Sequence, residues 1–207
     1  MKVKWLNSDA FSGFNIAIII SPIRAVNNKQ PTNVTMLTAV QSSMVSKGNH
    51  APDFTIPLAG GNSYNDVSSF TLSEVIGNGP IVLAFVPGAF TGGCTEELCE
   101  FGNELESFEA LDALIYGISV DLPFAQNVWI AQEGFDIPML SDWNHEVIQL
   151  YDVVYKNMYG SIESAQRSIF IIDSDGIVTY RWVREDSNPQ FNRFVGDIRK
   201  RVEEARH

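Results

Sequence analysis

An α/β fold with a central sheet flanked by helices is predicted by three observations. From Ala51 onward, strand-like and helix-like patterns alternate along the chain. Two of the strand-like runs, Ile81–Val86 and Ser168–Asp173, are almost wholly apolar, as strands covered on both faces must be. Between them, a segment opened by Pro123 links two strand patterns as a parallel βαβ unit would.

Each element has its own warrant. Phe54 to Leu58 reads as a first strand, with Gly60-Gly-Asn as its turn. Phe70 to Ile76 reads as a short helix, closed by Gly77-Asn-Gly-Pro80, which leads into the buried strand Ile81–Val86. From Thr95 to Leu114 the apolar residues Leu98, Phe101, Leu105, Phe108 and Leu111 fall on one helical face. Leu114 to Val120 is the next strand, and Pro123 opens a helix running to about Glu133. After Pro138-Met-Leu-Ser-Asp142 comes a short helix around His145 to Leu150. Asp175-Gly176 turns Ser168–Asp173 into Ile177–Val183, which should pair antiparallel with it. Gln190 to Arg206 closes the chain as an amphipathic helix burying Phe191, Phe194, Val195, Ile198 and Val202. No internal repeat is present.

Composition bounds the function. A chain of 207 residues with 45% hydrophobic residues can bury one full core without a second domain. Fourteen Lys and Arg stand against 25 Asp and Glu, a formal charge of -11, and no basic run could track a phosphate backbone or an anionic bilayer. Nucleic-acid and membrane binding are therefore not expected. Two closely spaced cysteines are no secreted disulfide scaffold; beside a strand-to-helix turn they suit redox chemistry in a reducing, cytoplasmic compartment. A zinc site lacks ligands, since His50, His145 and His207 are all remote from the cysteine pair in sequence. Neither a metal nor any other cofactor is expected.

The first 43 residues differ from the rest and read as a poorly ordered or loosely docked extension to a domain spanning 44–207. Their longest apolar run, Ile16–Ile20, is far below the roughly 20 residues needed to span a bilayer. Lys2 and Lys4 could begin a signal peptide, but Asn7, Ser8, Asp9 and Asn15 interrupt the apolar stretch that should follow. Asn33-Val-Thr35 fits a glycosylation sequon, which matters only in a secreted chain.

The chemistry concentrates where Ile81–Val86 passes through Pro87-Gly-Ala-Phe-Thr-Gly-Gly into Cys94 at a helix start. Helix N-terminal amides and the helix dipole stabilise negative charge, which favours a nucleophilic thiolate. Thr91, three residues earlier, can donate its hydroxyl to that thiolate or to a bound substrate, and it can also cap the helix. Pro87, rigid and without an N–H, can border a pocket and limit water access, and the amides of Gly93 and Cys94 are further candidate donors. Arg167, opening a later strand, would by itself read as a surface ion-pair residue at a strand end. Glu97 either orients an arginine or is a first-turn acid favourable to the dipole. His145 reads as a packing or helix-start residue, and Trp143 and Tyr151 as core or interface aromatics.

The set Ala51-Pro-Asp-Phe54, Pro87-x-x-x-Thr91-x-x-Cys94 and Arg167-Ser-Ile-Phe-Ile-Ile-Asp173 resembles the peroxiredoxins over about residues 44–202. The resemblance implies a thioredoxin fold, a central mixed sheet flanked by helices, with peroxiredoxin-type N-terminal additions. It also implies a thiol peroxidase in which Cys94 attacks hydrogen peroxide or an organic hydroperoxide and becomes a sulfenic acid. Arg167 would polarise the peroxide as charge develops on the leaving oxygen. A thioredoxin- or glutaredoxin-like protein is the implied reductant, and a homodimer is compatible with the family.

Cys99 divides the possibilities. Its five-residue spacing from Cys94 is similar to the bacterioferritin comigratory protein (Q) type, in which the two cysteines of one chain form a disulfide. Five helical residues rise about 7.5 Å, and a disulfide tolerates a Cα separation of only about 7 Å, so the first helical turns would have to unwind. Phe90-Thr-Gly-Gly-Cys-x-x-Glu97-Leu98, with Leu140-Ser-Asp-Trp143, is equally similar to the alkyl hydroperoxide reductase E type, which lacks that resolving cysteine and would be reduced by an external thiol. In that case Cys99 is a packing residue. Three rivals stand further off. A dithiol oxidoreductase would want Cys-x-x-Cys, and a copper carrier of the same fold Cys-x-x-x-Cys with a downstream histidine. A holdase role leaves no sequence mark.

Overall fold

The computed structural model describes residues 45–60, 63–160 and 162–206. The N-terminal extension, its sequon and most of the turn Gly60-Gly-Asn lie outside them.

Nine strands and six helices follow one another among these residues. The first strand, β1 (Thr55–Ala59), pairs antiparallel with β2 (Val67–Thr71), and α1 (Leu72–Val75) follows directly. The helix expected from Phe70 is thus a single turn preceded by strand. Val67-Ser-Ser-Phe-Thr has only Phe70 buried, so this edge strand carries too little apolar alternation to announce itself. Next come β3 (Ile81–Phe85), α2 (Gly92–Asn103), α3 (Leu105–Glu109) and β4 (Leu114–Ser119). The single helix expected over Thr95–Leu114 is two helices, broken at Glu104 just after Gly102-Asn103, a pair of weak helix formers. The apolar period runs across the break because Leu98, Phe101 and Phe108 are all buried against one core.

The helix α4 (Pro123–Glu133) has proline in its first turn and ends at Gly134, whose φ of 72° is the left-handed conformation glycine adopts freely. After it come β5 (Met139–Ser141), α5 (Glu146–Leu150), and the hairpin of β6 (Val154–Met158) and β7 (Ile162–Ala165). The chain ends with β8 (Ser168–Ile172), β9 (Val178–Val183) and α6 (Phe191–Glu204).

Seven strands form one mixed sheet in the order β2-β1-β5-β4-β3-β8-β9. The β3–β4 and β4–β5 pairs are parallel, as the βαβ reading requires, and the others are antiparallel. All five residues of β3 and of β8 are buried. Val82 and Ala84 face a core shared with α2, α3, α4 and α6, while Ile81, Leu83 and Phe85 face a second core with α1 and α5. Tyr151 lies in that second core and its hydroxyl donates to Pro52 O at 2.9 Å, whereas Trp143 is 57% exposed and belongs to neither core.

No helix among the described residues is long and apolar enough to cross a membrane.

Candidate active site

The carboxyl end of β3 delivers the chain into the candidate site. Val86 N still bonds to Ile118 O at 2.8 Å, and buried Pro87 then turns the backbone out of the sheet. The following loop is fixed at its middle, where Ala89 N donates to Asp121 Oδ2 at 2.7 Å. Phe90 adopts a left-handed φ of 59°, rare for a bulky residue, and this reverses the chain so that α2 can begin at Gly92.

Thr91 occupies the N-cap position of α2, but its hydroxyl donates back to Gly88 O at 2.9 Å and makes no capping bond. Thr91 thus tightens the loop: its oxygen accepts from no helix amide, and its proton goes to the Gly88 carbonyl and not to the sulfur. Its oxygen keeps lone pairs to accept from a ligand. The Cys94 amide is also engaged, donating to Thr91 O at 3.0 Å, so it is no open donor.

Cys94 therefore stands in the first turn of α2 with its side chain in the core, only 1% exposed. Its polar contact is with Arg167, whose Nη2 donates to Cys94 Sγ at 3.3 Å. The sheet register explains the meeting. Ser168 of β8 lies opposite Phe85 of β3, so Arg167, one residue before β8, arrives beside the chain just where it leaves β3.

The guanidinium is held on every side. Nη1 donates to Glu97 Oε2, Nε donates to Asn188 Oδ1 at 3.1 Å, and the cation lies 5.3 Å from the centre of the Phe191 ring. Glu97 is fully buried one helical turn after Cys94, so it is the arginine partner and not merely a solvated first-turn acid. Burial pushes its carboxyl up to about 7 against the opposing pull of Arg167. Glu97 Oε1 has no hydrogen-bond partner among the described residues. Arg167 is held more firmly charged than usual by Glu97 and Cys94, which outweigh its own desolvation.

Around this centre, Trp129 of α4 donates its indole N–H to Thr95 Oγ1 at 3.1 Å and stacks obliquely with Phe90, so α4 braces both the loop and the first turn of α2. Cys99 lies farther along the same helix, half-buried against the first core. Both cysteines are free thiols. Burial raises the Cys99 thiol above its ordinary range, and the carboxylates of Glu133 and Glu100 add to the effect. His145 starts α5 with a φ of 61° and lies 3.6 Å from Glu163, away from the cysteines in chemistry as in sequence.

The structure thus brings Arg167 to Cys94, with Pro87 and Thr91 in the loop that leads into α2, and leaves Cys99 farther along that helix. Sequence reasoning missed Asn188 and Phe191 as neighbours of Arg167. Phe191 carried only an amphipathic signal, and Asn188 sits in Ser187-Asn-Pro, which reads as a turn.

Residues 47–181 match the model of the AhpC/TSA family. Alkyl hydroperoxide reductase E of Mycobacterium tuberculosis is 31% identical over 155 residues, covering 74% of this chain and 95% of that protein. Peroxidoxin BcpB from the same organism superposes with a TM-score of 0.66 at 28% identity, over 78% of this chain and 98% of that one. The bacterioferritin comigratory protein of Xanthomonas campestris gives a TM-score of 0.62 at 26% identity, over 73% and 90% of the two chains. A family model covering well over half the sequence and a thioredoxin-type sheet carrying a buried cysteine at a helix start lead to one assignment. The chain belongs to the AhpC/TSA family and is a peroxiredoxin, a peroxidase-class oxidoreductase.

Proposed function

We propose that Cys94 is the residue oxidised by peroxide and that Arg167, Thr91 and Pro87 form the pocket in which this happens. The observation that carries the reading is the donation from Arg167 Nη2 to Cys94 Sγ at 3.3 Å in the first turn of α2. The sulfur attacks the terminal oxygen of R–O–O–H, the S–O bond forms as the O–O bond breaks, and the sulfur is oxidised by two electrons to a sulfenic acid. The leaving oxygen departs with a proton as water or alcohol. A guanidinium already aimed at the sulfur meets the negative charge that develops on that oxygen, and Glu97 keeps it oriented. Thr91, whose proton goes to Gly88 O, accepts from the peroxide instead of donating to it. Hydrogen peroxide and organic hydroperoxides are the substrates; the names of the mycobacterial and Xanthomonas relatives refer to alkyl hydroperoxide and alkyl peroxide reduction, which supports the second class.

Recycling proceeds through Cys99. Its thiol condenses with the Cys94 sulfenic acid to form a disulfide and water, and a thioredoxin- or glutaredoxin-like dithiol then reduces the disulfide. Cys94 and Cys99 share an intact α2, so its first turns open before they bond. The elevated Cys99 thiol and its half-buried setting favour a second reading, a one-cysteine cycle completed by an external thiol.

The test is peroxide consumption by wild type, Cys94→Ser and Cys99→Ser, with hydrogen peroxide or cumene hydroperoxide as substrate and either thioredoxin or dithiothreitol as reductant. Turnover abolished in Cys94→Ser supports the first assignment, and turnover retained there overturns it. Thioredoxin-linked turnover lost in Cys99→Ser supports resolution by Cys99, and its full retention supports the one-cysteine cycle.

A further inference from the structure

We infer that Asn188 is a positioning residue for peroxide reduction, holding the Arg167 guanidinium in its reactive orientation; this rests on Cys94 and Arg167 being the reacting pair. Asn188 lies on the exposed connection between β9 and α6, twenty-one residues from Arg167 in sequence. Its Oδ1 accepts from Arg167 Nε at 3.1 Å and from Arg184 Nη1 at 3.0 Å, so one amide oxygen ties two cations together. A guanidinium anchored only through Nη1 could pivot about its bond to Glu97. Anchored through Nε as well, its plane is fixed and Nη2 is left pointing at Cys94 Sγ.

Two further features fit this role. The amide is neutral, so it orients Arg167 without subtracting from the charge Arg167 presents to a peroxide, as a second carboxylate would. Its other end packs on the start of α2: a Cβ added at Gly93 would come 2.6 Å from Asn188 Nδ2 and 3.4 Å from Arg167 Nη2. Glycine at 93 gives Asn188 room to reach the guanidinium from the solvent side. Arg184 holds the connection from behind, its own amide donating to Arg167 O at 2.9 Å.

The experiment measures the second-order rate of rapid thiol oxidation by hydrogen peroxide in wild type, Asn188→Ala, Asn188→Asp and Cys94→Ser, with thermal melts on each. Asn188→Ala is expected to fall about tenfold, the scale of one hydrogen bond to a charged group, with the melt unchanged. Asn188→Asp restores the acceptor oxygen and is expected to recover to within about threefold of wild type, the remainder reflecting the charge its carboxylate draws from Arg167. An Asn188→Ala rate within twofold of wild type, or an equal loss in Ala and Asp, overturns the inference. Oxidation that persists in Cys94→Ser overturns the underlying assignment and the inference together; oxidation lost in Cys94→Ser but unchanged in Asn188→Ala overturns the inference alone.

Discussion

Arg167 Nη2 stands 3.3 Å from Cys94 Sγ although the two residues are 73 positions apart in the chain. The same guanidinium donates through Nη1 to Glu97, which no solvent reaches. A buried cation between a sulfur and a carboxylate is costly unless it is paired and hydrogen-bonded, and here each of its three nitrogens donates to a partner.

Arg167→Lys should lower the rate of Cys94 oxidation by about two to three orders of magnitude, as loss of a preorganised transition-state donor does. Lysine keeps the charge, but it cannot reach the sulfur, Glu97 and Asn188 at once with the fork of a guanidinium. Stopped-flow oxidation with hydrogen peroxide measures the effect, and a variant rate within a few-fold of wild type would mean that charge alone suffices.

Glu97 should make stability fall as pH rises. Its carboxyl is pushed up to about 7 in the folded chain from an ordinary 4.5. Between those values the folded chain binds more protons than the unfolded one, so this contribution is full below about pH 4.5 and is lost as pH climbs through 7. Glu97→Gln removes the titrating group. Urea midpoints taken from pH 4.5 to 7.5 should therefore show a shallower decline in the variant than in wild type; parallel curves would contradict the assignment.

Gly93→Ala separates activity from folding. Alanine favours a helix over glycine by up to about 1 kcal/mol, which acts to stabilise α2. The new Cβ meets the flexible end of Asn188 at 2.6 Å and not backbone, so the side chain moves and the fold survives. The predicted variant has a melting temperature equal to or above wild type and a peroxide rate reduced about tenfold, the scale of one lost hydrogen bond to a charged group. Gly117 provides the contrast. A Cβ there lies 2.3 Å from Met139 Sδ inside the core, so Gly117→Ala should cost about 1–3 kcal/mol of stability.

The fold was legible in the sequence where burial was strong. Ile81–Val86 and Ser168–Asp173 are apolar because both cores press on them, and Pro123 and Gly134 mark the two ends of α4. Short elements and those at a sheet edge left fainter marks. The strand β2 is a half-polar edge, β5 has three residues, and the β6–β7 hairpin turns through Tyr159 and Gly160 at φ values of 50° and 90°. The site divides the same way. Pro87, Thr91 and Cys94 share one loop and one helix start, so local sequence groups them. Arg167 joins them only through the β3–β8 register, and it was the likeness to a known family that singled it out. Asn188 meets Arg167 through the fold alone. The sequence places Thr91 beside Cys94, but the direction of its proton depends on the Gly88 carbonyl, which no sequence pattern reveals.

The most direct test of the account is a stopped oxidation read by mass. Reduced protein receives one equivalent of hydrogen peroxide, is quenched with a thiol-blocking reagent, and is digested. The account predicts a Cys94–Cys99 disulfide in wild type and a sulfenic acid trapped on Cys94 in Cys99→Ser. Sulfenic acid on wild-type Cys94 with Cys99 still free would contradict the disulfide cycle, and no rapid oxidation of Cys94 in either protein would contradict its central claim.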